Sequence, residues 1–474
     1  MGLLIKNGEI VTAGDRYIAD VYCEGGKIVS IAHGLDKRSG DDRVIDAAGR
    51  FVLPGLIDPH VHMELPFMGT VSADDFESGT ASGLAGGVTT IIDFVIPNRG
   101  QSLLEGLSVW KERAKKAVAD YTFHMAVTGW SDSTADEMRA VVEEHGITSF
   151  KVFMAYKNAI MVDDGELYQV MMQAARLGAV VTVHAENGDA VYHLQKELLA
   201  HGKTGPEYHP VSRPSGVEGE ATERALMMAH LHGTSAYIVH MTCRESVEAL
   251  ERAKLRGQPC YGETCPQYLL LDDSVFAKPD FGGSAYVMSP PIRPANLGHH
   301  VALWNGLTSG MLDTIGTDHC PFIHEQKRMG LGDFTKIPNG AAGIEDRLQL
   351  LYTHGVASGR FDIQRLVQLT STHAARVFGL YPRKGTIAPG TDADLVIYDP
   401  TGDSVRSAKT HHSRADRSIF EGFPVKGRPS HVIANGAVRV EDGKLKVERG
   451  SGRFIARKPR PLPVHPTGVL PARW

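Results

Sequence analysis

The sequence predicts an α/β fold, a (β/α)8 TIM-like barrel with a smaller β-sandwich domain formed by both chain ends. Between about residues 55 and 378, short apolar runs alternate with segments of 3.6-residue periodicity, the pattern of repeated βα units around a parallel barrel. At both ends, short β-branched runs are separated by Gly, Pro and Asn-Gly turn signals. The 474 residues leave room for a barrel of about 250 residues and a second module.

The predicted domains follow one another along the chain, with the sandwich split between its two ends. They are residues 1–54 (N-terminal part of the sandwich), 55–378 (barrel), 379–447 (C-terminal part of the sandwich) and 448–474 (an extended, proline-rich basic tail). The predicted barrel strands are 56–62, 89–94, 121–128, 148–154, 179–184, 236–240, 258–263 and 312–318. The predicted helices are 101–119, 134–145, 165–177, 218–232, 244–256 and 361–378.

Composition excludes several classes of function. A net charge of −5 and a pI near 6.5 do not favour nucleic acid or a membrane surface as a partner, and a small neutral substrate fits better. No apolar stretch is long enough to cross a bilayer, and the first residues do not resemble a signal peptide. Five cysteines without C-x-x-C spacing argue against a disulfide framework or a zinc ribbon, so we expect a cytoplasmic protein.

Histidines and one aspartate mark the ends of predicted strands. His60 and His62 are two residues apart on an extended run, so both imidazoles can face the same way. Alone, such a pair also fits an exposed strand face. His184, His240 and Asp318 each end another predicted strand, where barrel enzymes place catalytic groups. Any one of these would more often be a hydrogen-bonded core residue, but together they predict a metal centre.

Lys151 occupies the corresponding place on the predicted strand 148–154. A lysine there could be a surface side chain with a buried stem. Beside metal cations, however, an ammonium is repelled and offers no lone pair, whereas a lysine that loses its proton can add CO2. The resulting carbamate could bridge two ions. Four imidazoles, a carbamate and a carboxylate suit Zn²⁺ best, with Mn²⁺ or Co²⁺ as alternatives.

Longer motifs surround these residues and carry a family resemblance. They are Gly55-Leu-Ile-Asp-Pro-His-Val-His, Ser149-Phe-Lys-Val-Phe-Met-Ala-Tyr, Val183-His-Ala-Glu-Asn-Gly, Val239-His-Met-Thr-Cys, Gly262-Glu-Thr-Cys-Pro-Gln-Tyr, Met288-Ser-Pro-Pro-Ile-Arg, Gly316-Thr-Asp-His-Cys and Ile337-Pro-Asn-Gly. The chain thereby resembles, over nearly its whole length, the dihydropyrimidinase/D-hydantoinase branch of the amidohydrolase superfamily.

The resemblance implies a specific distribution of metal ligands. His60, His62 and Asp318 would bind one ion, His184 and His240 the other, and carboxylated Lys151 would bridge them. A hydroxide shared by the ions would open the ring of a cyclic ureide or imide, a 5,6-dihydropyrimidine or hydantoin, to an N-carbamoyl amino acid. Asp318 would act as general base and then general acid. The resemblance also implies a homotetramer.

Other residues are candidates for holding the substrate. The resemblance implies that Tyr156 donates to the developing oxyanion, although a loop tyrosine can also be a packing anchor. It also implies that main-chain groups of Ser289 and Asn339 hold the ureide. Leu65 and Phe153, with Phe67, follow ligand-bearing positions and could line a substituent pocket or simply pack.

Three alternative functions are compatible with parts of this pattern. A dihydroorotase would have an arginine two residues after the second histidine to bind its anionic substrate, and this chain has Glu64. An allantoinase-type hydrolase also takes a neutral ureide, but Tyr156 and the Met288 motif favour the hydantoinase hypothesis. A non-catalytic scaffold relative would lack part of the ligand set, which this chain retains.

Overall fold

The computed structural model of the chain describes residues 2–459. Its strands are β1 (Leu3–Val11), β2 (Arg16–Glu24), β3 (Lys27–Ala32), β4 (Arg43–Asp46), β5 (Phe51–Pro54), β6 (Leu56–Val61), β7 (Pro66–Phe67), β8 (Thr70–Val71), β9 (Val88–Val95), β10 (Asp120–Ala126), β11 (Ser149–Phe153), β12 (Val180–His184), β13 (Ser235–Ile238), β14 (Cys260–Thr264), β15 (Thr314–Ile315), β16 (Leu395–Val405), β17 (Pro424–Ala434), β18 (Ala437–Glu441) and β19 (Lys444–Leu445).

The α-helices are α1 (Phe76–Ala85), α2 (Leu103–Ala114), α3 (Thr134–Glu143), α4 (Asp164–Arg176), α5 (Gly188–Ala200), α6 (Ser215–His232), α7 (Arg244–Leu255), α8 (Pro266–Leu270), α9 (His299–Ser309), α10 (His324–Lys327), α11 (Arg347–Leu351), α12 (Ile363–Val367) and α13 (His373–Val377). Short 3-10 turns are Pro206–Tyr208, Asp273–Ala277, Gly282–Tyr286, Ala295–Leu297, Arg328–Gly330, Phe334–Lys336 and Ala408–Thr410. Two π-helical turns are Tyr352–Val356 and Gln368–Thr372.

Eight parallel strands form the central barrel, and each overlaps a predicted strand. They run in the order β15-β14-β13-β12-β11-β10-β9-β6. A parallel bridge between Val61 and His319 joins the two ends of this sheet, and the His62 N–H donates to the His319 carbonyl at 2.8 Å. The predicted barrel is confirmed, and the carboxyl ends of its strands share one mouth.

The two chain ends meet in one nine-stranded sheet, as predicted. Its main path is β19-β18-β17-β16-β5-β1-β2-β3, and β4 pairs with β1. The contact between the ends is the antiparallel pairing of β5 with β16, in which Val52 lies opposite Ile397. Both side chains are fully buried in a small core of their own, because alternating residues of each strand face it. The domain boundaries in the sequence remain predictions.

The helices show where pattern recognition fails. The predicted helix 361–378 is interrupted by the π-helical turn Gln368–Thr372, which separates α12 from α13. Helix α1 was not predicted, because its sequence, rich in Gly, Ser and Thr, lacks an apolar stripe. Its start is fixed by a capping box between Asp75 and Ser78. No helix in residues 2–459 is both long and apolar enough to cross a membrane.

The first part of the predicted tail lies along the amino-terminal end of the barrel. The Ile455 N–H donates to the Tyr121 carbonyl at 2.8 Å, and the Tyr121 N–H donates to the Arg453 carbonyl at 2.9 Å. The Arg457 N–H donates to the Gly146 carbonyl at 2.7 Å. Residues 460–474 of the predicted tail lie outside the described residues.

A buried charge cluster joins the barrel to the sheet formed by the chain ends. The Lys384 ammonium lies 2.6 Å from Asp120 and 3.3 Å from Asp392, and it also pairs with Asp394. Arg453 lies 2.8 Å from Asp120. Arg453 also pairs with Asp392, whereas Lys384 is the one cation within ion-pair distance of Asp394 in the described chain, so this interface depends on the lysine.

We therefore expect Lys384→Met to destabilise the protein strongly. Loss of the ammonium leaves the buried carboxylate of Asp394 without a cation in the described chain, and removing one partner of such a pair typically costs about 3 to 5 kcal/mol. The midpoint of urea denaturation should fall accordingly. Lys115→Met is the matched control, because Lys115 is 70% exposed and pairs only with exposed Glu112. Equal midpoints for both variants would contradict a stabilising role for the cluster.

Candidate metal centre

The barrel brings the six predicted metal ligands to one cavity. His60 lies in β6 and His62 follows it, Lys151 lies in β11, and His184 ends β12. His240 and Asp318 follow β13 and β15 by two and three residues. The cavity is lined by His60, His62, Leu65, Phe67, Ile96, Lys151, Phe153, Tyr156, Ile160, His184, His240, Ser289, Asp318, Cys320, Asn339 and Gly340. All the predicted site residues are therefore neighbours.

Three of the predicted ligands form a compact group. Asp318 Oδ1 lies 3.2 Å from His60 Nε2 and 3.2 Å from His62 Nε2. The ligand atoms of this group lie within 4.8 Å of one another. Two imidazole nitrogens and a carboxylate oxygen at this separation are a donor set suited to a divalent ion of the zinc type.

The other two histidines form the opposite side of the site. His240 Nε2 lies 3.0 Å from His184 Nδ1, and the rings of His240 and His60 stack with centroids 5.2 Å apart. The two pairs of imidazoles are thus contiguous. His184 and His240 offer two nitrogen donors for a second ion adjacent to the first.

Lys151 lies among these groups without a charged partner. Its side chain is 1% exposed, and its Nζ lies 4.9 Å from the Phe94 ring centre and 5.0 Å from that of Phe153. No ion pair to Lys151 is found within residues 2–459. Burial lowers its pKa to about 7, although Asp318 and Glu263 oppose this shift. Such burial favours the neutral amine.

Burial also sets the protonation of the histidines. It lowers the pKa of His62 to about 4 and the pKa values of His184 and His240 below their usual range. Burial opposes charge on His60 too, but Glu263 and Asp318 outweigh it and raise this pKa to about 9. Neutral imidazoles are the form that binds a metal.

Two buried glutamates orient the histidines from behind. Glu263 Oε1 lies 2.6 Å from His60 Nδ1, and Glu186 Oε2 lies 2.7 Å from His184 Nε2. Each carboxylate accepts the proton on the outer ring nitrogen, which leaves the inner nitrogen as a lone-pair donor. These roles were not predicted, although Glu263 ends a predicted strand and Glu186 lies two residues after His184.

A second group of carboxylates does not fit a metal. Asp120, Asp392 and Asp394 lie close enough to share an ion, but Lys384 already lies among them. Asp318, at the barrel mouth, has no lysine or arginine within ion-pair distance in residues 2–459; its neighbours there are His60 and His62. Of the two groups, only the one at the mouth suits a metal.

Three residues of this site have a left-handed backbone. Tyr156, His240 and Asp318 have φ angles of 65°, 41° and 53°, in the left-handed region that residues other than glycine seldom adopt. Such conformations cost about 1 to 3 kcal/mol each and persist where the surrounding structure imposes them. The surrounding fold therefore imposes a locally unfavourable backbone on these three residues, whose side chains line the cavity.

Tyr156 lies across the cavity from the histidines. Its ring centroid is 5.3 Å from that of His184, and Phe67 and Phe153 contact it edge to face. Burial raises the pKa of Tyr156 to about 12. The phenol therefore retains its proton and is a hydrogen-bond donor throughout the neutral range.

Ser289 and Asn339 lie side by side at the cavity edge. Asn339 Nδ2 donates to Ser289 Oγ at 2.8 Å. Within the described chain, no hydrogen bond is found for the main-chain N–H or C=O of either residue. Because peptide groups inside a protein are nearly always paired, these groups are available to a ligand.

Apolar side chains complete the cavity wall. Leu65 and Phe153 are both 5% exposed and line it together with Phe67. Ile96 and Ile160 also line it and were not predicted, because both are in loops that carry no polar motif. The wall suits a small, partly apolar molecule.

Comparisons with known proteins place the chain in a family. The model of the amidohydrolase family matches residues 51–439. The chain is 49% identical to the D-hydantoinase of Geobacillus stearothermophilus over 96% of this chain and 97% of that one. It is 45% identical to the dihydropyrimidinase of Arabidopsis thaliana, over 96% of this chain and 86% of that one.

A solved structure matches equally well. The dihydropyrimidinase from Brevibacillus agri NCHU1002 superposes with a TM-score of 0.95 at 46% identity, covering 97% of this chain and 100% of that one. Fold and sequence are shared over nearly the whole length. The chain belongs to the amidohydrolase family and, within it, to the dihydropyrimidinase and hydantoinase enzymes.

Proposed function

We propose that this chain hydrolyses cyclic ureides and imides, namely 5,6-dihydropyrimidines and hydantoins, to N-carbamoyl amino acids. The observation that supports this most is the juxtaposition, in one cavity, of a nitrogen and oxygen ligand set with the unpaired peptide groups of Ser289 and Asn339. A flat ring bearing alternating N–H and C=O groups is complementary to such peptide groups. The names of the relatives, D-hydantoinase and dihydropyrimidinase, support the same substrate class.

We propose that two divalent ions are held at the mouth. His60, His62 and Asp318 would bind one, and His184 and His240 the other, with carboxylated Lys151 between them. The buried Nζ of Lys151 lacks a carboxylate partner, so its neutral amine can attack CO2, forming an N–C bond and releasing one proton. The donor set favours Zn²⁺, with Mn²⁺ or Co²⁺ as alternatives.

Divalent ions at this site supply a water of lowered pKa and polarise the carbonyl under attack. Asp318 is the proposed proton carrier. Its Oδ1 faces His60 and His62, so Oδ2 can take a proton from the attacking water. It then returns the proton to the ring nitrogen as the amide C–N bond breaks. Water adds across that bond and leaves a carboxylate and a carbamoyl N–H.

Tyr156 and the peptide groups of Ser289 and Asn339 would position the substrate and stabilise the negative charge that develops on its carbonyl oxygen. The phenol donates to the carbonyl oxygen as negative charge develops there, a contact that strengthens in the transition state. Main-chain groups of Ser289 and Asn339 hold the ureide in the plane that presents its amide carbon. Leu65, Phe67 and Phe153 exclude water from the far side of the ring and contact its substituent.

A neutral substrate fits this cavity better than an anionic one. Among the described residues that line it, none is an arginine. Glu64, two residues after His62, pairs with Lys116 at 2.7 Å and does not line the cavity, so it cannot repel an anion there. A carboxylate on the ring would still lack an arginine partner among the described lining residues.

We also propose that the protein is a cytoplasmic homotetramer. All five cysteines are buried and free, as expected in a reducing compartment. Apolar side chains such as Leu231 and Leu255 are 57% and 79% exposed, and an interface between subunits would cover surfaces of this kind.

Metal content and turnover, measured together, test the proposed function. Wild-type protein should contain two divalent ions per chain and open dihydrouracil and hydantoin faster than allantoin. Lys151→Ala should lose most of its metal and activity, both partly restored by short-chain carboxylic acids that replace the carbamate. Lys336→Ala, at an exposed lysine, should behave as wild type. Full retention of metal and activity in Lys151→Ala would refute the bridging role.

The glutamate behind His60 gives a test that needs no substrate. Glu263→Gln keeps the size of the side chain but weakens its hold on the His60 proton. The affinity for the metal should fall by about 10- to 100-fold, as for other groups that orient metal ligands. Competition with a chromophoric chelator measures this, with Glu248→Gln on the exposed face of α7 as control. Identical affinities in both variants would be evidence against an orienting role.

Tyr156→Phe separates transition-state stabilisation from binding. Loss of one oxyanion donor typically lowers kcat by about 10²- to 10³-fold. KM should change only a few-fold, because the neutral carbonyl of the bound substrate depends less on the donor. Steady-state kinetics on dihydrouracil provide both constants. A rise in KM with kcat unchanged would show instead that Tyr156 serves ground-state binding.

A further inference from the structure

Lys327 is a buried lysine outside the metal centre. It ends α10, and its side chain is 2% exposed. Its Nζ donates to the carbonyls of Pro338 at 2.6 Å, Gly340 at 2.7 Å and Val287 at 2.9 Å. Within residues 2–459 no carboxylate lies at ion-pair distance from it. The charge is therefore stabilised by three peptide carbonyls and by the Phe322 ring, whose centre lies 5.6 Å from Nζ.

The three carbonyls belong to the two segments that carry Ser289 and Asn339. Val287 lies two residues before Ser289, while Pro338 and Gly340 flank Asn339. The Gly340 N–H also donates to the Val287 carbonyl at 3.0 Å, which joins the segments directly. Lys327 thus cross-links the two loops from behind the cavity wall.

Neighbouring carbonyls of the first segment are also occupied. His209 Nε2 lies 2.8 Å from the Met288 carbonyl, and the Tyr268 hydroxyl donates to that of Pro290 at 2.9 Å. The carbonyls of residues 287, 288 and 290 are all engaged, whereas that of Ser289 makes no hydrogen bond within the described chain. The fold leaves one carbonyl of this run free.

The second segment repeats this pattern. The carbonyls of Pro338 and Gly340 are held by Lys327, and that of Ala341 accepts from the Cys320 N–H at 3.0 Å. Between them, the Asn339 carbonyl has no partner in the described part of the chain. The Ser289 and Asn339 carbonyls are therefore free within the described chain, and both residues line the cavity.

We infer that Lys327 is a positioning residue for substrate recognition, which gathers the carbonyls around Ser289 and Asn339 and so leaves the peptide groups of these two residues free for the ring. The inference rests on the proposed function. An ammonium suits this task because it carries three N–H donors and no acceptor. Burial lowers the pKa of Lys327 to about 7, but three converging acceptors favour the protonated form.

Lys327→Met tests the inference because it keeps the length of the side chain and removes all three donors. The two loops lose their common anchor, so the peptide contacts to the ring should weaken. Loss of one or two of these hydrogen bonds should raise KM for dihydrouracil by about tenfold. The metal ligands are untouched, so kcat and metal content should change little.

A matched pair of substrates makes the test independent of how much protein folds. Glutarimide is dihydrouracil with CH2 in place of one ring N–H, so it cannot use one of the carbonyl acceptors. Wild-type protein should prefer dihydrouracil in kcat/KM, and Lys327→Met should lose this preference by about tenfold. Lys384→Met, another buried lysine, at the other end of the barrel, should be less stable but keep the wild-type preference.

Lys327→Arg provides a second variant if the methionine variant does not accumulate. Arginine keeps the positive charge, but its planar guanidinium cannot direct three N–H groups from a single nitrogen to these three carbonyls. The preference for dihydrouracil should therefore fall again. The inference is overturned if both variants retain the wild-type preference, or if metal content and kcat fall together while the preference is unchanged. If the wild-type protein opens neither ring, the proposed function fails first and the inference with it.

Discussion

At the barrel mouth, imidazole nitrogens and a carboxylate lie close together, an arrangement that a bound cation stabilises. Asp318 lies 3.2 Å from two imidazole nitrogens, His184 and His240 face each other at 3.0 Å, and Lys151 lies buried beside them. Parallel strands make this possible because their carboxyl ends share one edge, so residues far apart in the chain become neighbours. The cavity, the strained residues and the orienting glutamates are all arranged around this cluster.

The surrounding structure keeps these groups in a form that can bind a metal. Burial holds three histidines neutral, and the carboxylates of Glu263 and Glu186 fix which ring nitrogen faces inward. The left-handed backbone at His240 and Asp318 lowers the free energy of unfolding. A large core and the docked sheet of the chain ends offset that cost.

The candidate ligands could be predicted from the sequence because they follow short apolar strands, a local signal. Lys151, Ser289 and Asn339 were predicted from position and resemblance. Glu263 and Lys327 were not predicted, since their contacts are with a residue about 200 positions away or with carbonyls of other loops. The π-helical turn at residues 368–372, within the predicted helix 361–378, was also not predicted, because the periodicity of apolar residues does not reveal such a turn. A local sequence pattern can indicate a candidate ligand, whereas the partners of an orienting residue depend on packing between distant segments of the chain.

The most direct test of the metal centre is a crystal structure of the protein as purified, with anomalous scattering recorded at the zinc edge. The account predicts two anomalous peaks among His60, His62, His184, His240 and Asp318, and continuous density beyond Lys151 Nζ with the shape of a carbamate. A bare lysine nitrogen with no anomalous peak beside it would contradict the account.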